Sequence, residues 1–234
     1  MLLHLSDDQQ AFPAAHLALR EPNGLLAFGG SLSLQRLISA YQAGIFPWYG
    51  EHDPILWWSP DPRAIFTPQS LHISRSMQRF TRTTELRLTI NHDFAGVIQQ
   101  CAATHAAEGC WIHAEMQQAY QALHCAGHAH SVEVWQQQRL VAGLYGVNVN
   151  GIFCAESMFQ HHTNGSKLAL LQFAQHYFAE GGCWIDAQMD NPHLQRLGSV
   201  TVPRQHYLQQ LQRNQQQNHD VSSDFWRPRQ LIFI

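Results

Sequence analysis

"HSVEVWQQQRLVAGLYGVNVNGIFCAESMF", residues 130–159, is three runs rich in Val, Leu, Ile, Phe and Tyr, broken by Gln137-Gln138-Arg139 and by Asn150-Gly151. Runs of this length and composition read as strands, and Asn-Gly between two of them is a tight hairpin turn. Downstream, Asn164 or Ser166 can cap a helix reaching about Glu180, Gly181-Gly182 stop it, and "CWIDAQ" (183–188) is the next strand. A β-β-β-α-β order predicts a mixed sheet in which the strand ending at Gln188 lies parallel to a neighbour, since a helical connection returns the chain in the same direction. The fold class is therefore α+β, a mixed β-sheet flanked by helices.

Working outward, "SRSMQRF" (74–80) predicts a short basic helix, "ELRLTI" (85–90) a strand, and "FAGVIQQCAA" (94–103) and residues 114–126 two further helices. Residues 206–218 form a Gln-rich helix whose aliphatic anchors are Leu208 and Leu211. The first sixty residues differ, being rich in Pro, Gly and aromatics, with one helix over 33–43 capped by Ser33 and closed by Gly44. They predict a small N-terminal domain, 1–62, with little regular structure, a boundary at Pro60 to Pro62, and a larger domain over 63–234.

With 234 residues, 45% of them hydrophobic, the chain can bury a core of its own. No stretch has the run of about 20 apolar residues that a membrane span needs, and the first ten residues lack a secretory pattern, so a cytoplasmic protein without a membrane partner is expected. Five widely spaced cysteines (Cys101, Cys110, Cys125, Cys154, Cys183) without a C-x-x-C pair exclude a disulfide framework and a cysteine-built zinc site, and reduced, mostly buried thiols are expected. A formal charge of −3 gives no overall basic field for nucleic acid, so such a partner needs a local patch.

Three constellations carry candidate chemistry. In "WIDAQMDN" (184–191), strand alternation points Asp186 and Gln188 to one side and Ile185 and Ala187 to the other. A carboxylate beside a carboxamide can cap the following turn, or, at a strand end, orient and deprotonate an amine. In "GIFCAESMF" (151–159) the same alternation sets Glu156 beside Cys154 and Met158, either as a solvated charge or facing a pocket. Arg75, Arg79 and Arg82 share one helix face, a solvated stripe or a local phosphate patch, while Trp48, Trp57, Trp58 and Trp111 lie in or near loops, as core plugs or base-stacking surfaces. "HCAGHAH" (124–130) crosses a helix end and a strand start and is discounted as a metal site, and "GSKLALLQF" lacks the upstream glycine of a phosphate-binding loop.

Taken together and in order, "LREPNGLLAFGG", "YQAGIFPW", "PILWWSPDPRAI", "SLHISRSM", "GHAHSVEVW", "AESMF" and "WIDAQ" resemble the bacterial leucyl/phenylalanyl-tRNA–protein transferase family across essentially the whole chain. The resemblance implies an aminoacyltransferase that moves Leu or Phe from charged tRNA to the N-terminal amine of proteins beginning with Arg or Lys, marking them for degradation. It implies an acetyltransferase-like larger domain, no metal and no coenzyme. It places Asp186 and Gln188 on the family's catalytic pair, Trp48 and Trp111 beside the tRNA's terminal adenosine, and Arg75, Arg79 and Arg82 in the tRNA-contacting region. Leu144, Phe153, Glu156, Leu170, Phe173, Tyr177 and Ile185 fall on the aminoacyl pocket and its surroundings. Gln78 and Thr81 stand where lysine is often found, Leu144 where Met is common and Tyr177 where Phe is common, which implies a thinner basic patch and a retuned pocket.

The chemistry expected from these residues is that Asp186 polarises Gln188, Gln188 aims the amine at the ester carbonyl, and the carboxylate helps to draw off the proton. Glu156 or Asp186 supplies a negative surface for the acceptor's Arg or Lys. Two rival functions share parts of this pattern. A peptide-binding module for basic N-termini would use Glu156 and Asp186 without transfer, and an acetyl-CoA-dependent N-acetyltransferase would need a Gly-rich pyrophosphate turn where this chain has only "HHTNGSK".

Overall fold

The computed structural model describes residues 2–7, 11–105 and 111–234. Cys110 lies outside the described residues. The large sheet has eight strands, ordered β11-β5-β10-β9-β8-β7-β6-β12. Its centre is the meander expected from residues 130–159: β7 (Ala129–Gln136), β8 (Arg139–Val149) and β9 (Ile152–Gln160). Asn150 and Gly151, at φ 49° and 69°, make the turn between the last two, a backbone that Asn and Gly tolerate. Helix α5 (Gly165–Ala179) then crosses over, and β10 (Trp184–Gln188) lies parallel to β9, as the order of elements requires. Asn164, in left-handed backbone, precedes α5 without a side-chain cap, and the Ser166 hydroxyl donates instead to Gln160 Oε1 at 2.9 Å. Neither expected cap is made.

On the far side of β10, β5 (Arg63–Phe66) pairs antiparallel with it and carries β11 (Val200–Val202) at the edge. At the opposite end β6 (Arg87–Ile90) and β12 (Arg229–Leu231) complete the sheet. One face is covered by α3 (Phe94–His105), α4 (Ala114–Cys125) and α7 (Arg204–Gln216), the other by α2 (Arg75–Thr83), α5, α6 (Pro192–Arg196) and the segment around Phe225 and Trp226. Helix α7 is anchored by fully buried Tyr207 as well as Leu211, with Leu208 only half-buried.

The N-terminal residues hold more regular structure than their composition predicts. A four-stranded sheet, ordered β1-β2-β4-β3, uses strands of two to five residues: β1 (Leu3–Leu5), β2 (Leu25–Gly29), β3 (Phe46–Pro47) and β4 (Leu56–Trp58). Strands so short show no readable alternation, which is why composition alone misses them. Helix α1 (Leu34–Gln42) has the expected Ser33 cap, its hydroxyl accepting from Arg36 N. Its Leu37, Ala40 and Tyr41 join one apolar cluster with α3, α4 and the large sheet, so the N-terminal layer has no core separate from theirs.

Candidate active site

Two β-bulges break the regular alternation where it matters. Along the β8–β9 ladder Tyr145 faces Ser157 but Gly146 faces Ala155, so Glu156 is the extra residue of a bulge. Gly146 is required here, because a Cβ would lie 2.3 Å from the Cys154 carbonyl oxygen. Beyond the bulge the side-chain parity inverts: Cys154 packs with the α3/α4 cluster while Met158 packs on the α5 side beside Phe153 and Ala155. The expected face of Cys154, Glu156 and Met158 is therefore not formed. A bulge moves every later residue by one position, which the sequence does not announce.

The second bulge lies between Asp186 and Gln188, on β10 opposite β5, and Gln188 adopts φ 58°. Ile185 and Ala187 share one side, as predicted, and it is the α5 side. Asp186 and Gln188 part company. Asp186 is fully buried and accepts four hydrogen bonds: Arg63 Nε at 2.8 Å, Arg63 Nη2 at 2.6 Å, the Tyr207 hydroxyl at 3.0 Å and the Gln188 backbone N–H at 2.9 Å. Arg63, equally buried, also donates to the Gly44 carbonyl and lies over the rings of Phe46 and Tyr207. Burial, the largest single influence, lowers the Arg63 pKa, but the Asp186 carboxylate together with Tyr207 more than offsets it and raises it, so the guanidinium stays charged. Asp186 thus bonds the backbone of Gln188 while the carboxamide donates elsewhere, a correction to the expected polarisation of one side chain by the other.

The Gln188 carboxamide donates instead to Glu156 Oε1 at 3.0 Å, and the Tyr120 hydroxyl donates to Glu156 Oε2 at 2.8 Å. The Glu156 pKa is raised to about 7, chiefly by burial, which the Tyr41 and Tyr120 hydroxyls partly offset. This pair forms the polar end of a cavity of about 650 Å³ at the C-terminal end of β10, with apolar walls from Leu144, Ala155, Met158, Leu170 and Phe66. Trp111, Met189, His193 and Leu194 close its sides. Strand ends of an open sheet are where such clefts form, and the volume suits a small substrate group.

Of the residues expected at the aminoacyl pocket, Leu144, Glu156 and Leu170 line this cavity, as do Gln188 and Trp111. Phe153, Phe173, Tyr177 and Ile185 do not; they are fully buried behind it, where the rings of Phe153 and Phe173 pack at a tilt with centroids 4.6 Å apart. Trp48 directly follows β3 of the N-terminal sheet, edge-on to Trp58 and 39% exposed, and is not among the lining residues. Arg75, Arg79 and Arg82 are all exposed on α2, and Arg82 borders a separate cleft with Gln78 and the C-terminal Ile234. Among the described cysteines, Cys101 and Cys154 are buried, Cys183 half-buried and Cys125 exposed, so burial of the thiols is less general than expected. Two of the three histidines of "HCAGHAH" are engaged in packing: His124 stacks on Phe94 and His130 on Trp226. No helix among the described residues is long and apolar enough to cross a membrane.

Sequence reasoning missed Arg63, Tyr120, Tyr41 and Tyr207. An arginine opening the apolar run "RAIF" was a usable signal, since a charge in a buried strand needs a partner. The tyrosines sit on apolar helix faces and gave none.

An apolar slot that ends on a carboxamide and a carboxylate of near-neutral pKa can seat an apolar side chain and hold an amine beside it, which is the geometry of an acyl-transferring enzyme. The family model described as "Leucyl/phenylalanyl-tRNA protein transferase" matches residues 65–212, and that of its N-terminal domain matches residues 30–61. The "Leucyl/phenylalanyl-tRNA--protein transferase" of Yersinia pestis bv. Antiqua is 53% identical over 229 residues, 98% of this chain and 87% of the relative. That of Yersinia enterocolitica serotype O:8 is 52% identical over 232 residues, 99% and 97% of the two chains. The chain belongs to the leucyl/phenylalanyl-tRNA protein transferase family and is an enzyme. A solved GCN5-related N-acetyltransferase from Kribbella flavida matches loosely, with TM-score 0.34 and 13% identity over 70% of this chain and 58% of that one.

Proposed function

We propose that this enzyme transfers leucine or phenylalanine, and methionine more weakly, from the 3′ end of charged tRNA to the α-amine of proteins that begin with Arg or Lys, in the cytoplasm, marking them for N-end-rule degradation. The observation that carries the reading is the Gln188–Glu156 pair at the end of the apolar slot. The transferred side chain enters between Leu144, Met158 and Leu170, where unbranched or γ-branched groups fit and β-branched ones crowd the wall. Discrimination of this kind is worth about 1–3 kcal/mol per methylene, which admits some methionine.

The tRNA ester is already an activated acyl donor, so the reading asks for no coenzyme. The enzyme has to orient the amine and take its proton. The acceptor α-amine has a reference pKa near 8, close to that of Glu156, so proton transfer between them is nearly balanced. Of the two protons the ammonium loses, one goes to Glu156 and then to solvent, and one leaves with the tRNA's 3′ oxygen as the C–N bond replaces the C–O bond. Gln188 fixes the Glu156 carboxylate and the line of approach. Asp186 supports Gln188 from behind, and Trp111, with the arginines of α2, offers stacking and phosphate contacts to tRNA.

Transfer of radiolabelled leucine and phenylalanine from charged tRNA to a peptide beginning with Arg tests the reading. Label in the peptide, reduced at least tenfold in folded Glu156→Gln and Gln188→Ala, is the expected result. Tight binding of the peptide without transfer would move the assignment to a binding module for basic N-termini.

A further inference from the structure

The geometry points to Tyr120, and Tyr41 behind it, as positioning residues of the transfer reaction: their hydroxyls form a two-member donor chain that fixes the Glu156 carboxylate at the cavity, ready for the incoming amine. The inference rests on the reading of Glu156 as the group that takes the amine's proton.

Tyr120 reaches Glu156 from α4 at 2.8 Å, and Tyr41 reaches Tyr120 from α1 at 2.6 Å. A carboxylate only accepts, so the Tyr120 proton is committed to Glu156, and the Tyr120 oxygen must in turn accept from Tyr41. The chain has one direction, and both phenols are buried away from competing water. Burial raises each phenol well above its ordinary value, so both remain donors across the working range. A hydrogen bond from one hydroxyl polarises the next, and the bond that ends on a charge is the strong one.

Other groups around Glu156 do not replace this chain. From β10, Gln188 donates to the other carboxylate oxygen. Asp186 on β10 and Arg63 on β5 act on Glu156 in opposite senses and are paired with each other, with Tyr207 of α7 bound to Asp186. Cys154 of β9 is held protonated by burial, and Tyr145 of β8 packs edge-on against Tyr120. The two tyrosines are the groups that favour the ionised carboxylate from the α3/α4 side, and they tie its position to α1 of the N-terminal layer.

The test is the pH dependence of kcat/KM for transfer by the full chain, comparing wild type with Tyr120→Phe, Tyr41→Phe and Glu156→Gln. Removing a donor from the carboxylate destabilises its ionised form, so the acid limb is expected to move to higher pH in both Tyr120→Phe and Tyr41→Phe. The acceptor amine titrates identically in every case. Glu156→Gln is expected to lack the limb near pH 7. A limb that stays in place in both tyrosine variants but disappears in Glu156→Gln overturns the positioning role alone. A limb that survives Glu156→Gln overturns the assignment of Glu156 as proton acceptor, and this inference with it.

Discussion

Replacing Asp186 by alanine is the natural first mutation at this site, and the structure makes it foremost a stability experiment. The substitution strands the Arg63 guanidinium, 1% exposed, with the Gly44 carbonyl at 3.2 Å and two aromatic rings as its remaining company. Breaking a buried pair by removing one partner costs about 3–5 kcal/mol. The Tyr207 hydroxyl and the Gln188 N–H lose their acceptor as well, at about 1 kcal/mol or more each. Against a total stability of about 5–15 kcal/mol, this is a third or more of what keeps the domain folded. Removing both charges together, as Asp186→Ala with Arg63→Met, should be milder than Asp186→Ala alone by about 2 kcal/mol, since no ion is left unpaired. Urea unfolding of wild type, both single variants and the double variant at 25 °C measures the cycle. Transfer activity should be lost in the double variant while the protein is folded, because nothing then holds the left-handed backbone of Gln188. Asp186→Ala losing under about 1 kcal/mol while activity falls tenfold would refute the argument and put the Asp186 carboxylate in contact with substrate.

The cavity wall and the α2 surface each give a further expected outcome. Leu144→Ala deepens the slot next to Met158 and should shift the kcat/KM ratio toward phenylalanine by about tenfold, the scale of one to two methylenes; competition between the two charged tRNAs reads it, and an unchanged ratio would take Leu144 out of the pocket wall. Replacing Arg75, Arg79 and Arg82 together by glutamine should raise KM for charged tRNA without changing stability by more than about 0.5 kcal/mol, as befits exposed residues. The slope of log affinity against log salt should fall by about 2–3, one for each phosphate contact removed, and an unaltered slope would return the stripe to a solvated face.

While the short strands β11 and β12 near the C-terminus gave no readable pattern, the sequence by itself settled the order of elements from residue 74 to 188, the hairpin at Asn150-Gly151 and the parallel placement of β10. Each is a local matter of periodicity, turn residues and connection length, and each acts through neighbours in the chain. The site was legible as residue types: Glu156, Gln188, Leu144, Leu170 and Trp111 all reach the cavity. What only tertiary structure decided is which of these touch. Arg63 meets Asp186 across 123 positions, Gln188 meets Glu156 across 32 and Tyr41 meets Tyr120 across 79. The two bulges, at Glu156 and between Asp186 and Gln188, come from pairing with a neighbouring strand, so a rule of alternation applied to one strand sends Met158 to the wrong face and joins Asp186 to the Gln188 side chain. Burial completes the division of labour: full enclosure with Arg63 makes Asp186 a fixed support, while Glu156, at the cavity and short of a cation, is the carboxylate free to take a proton.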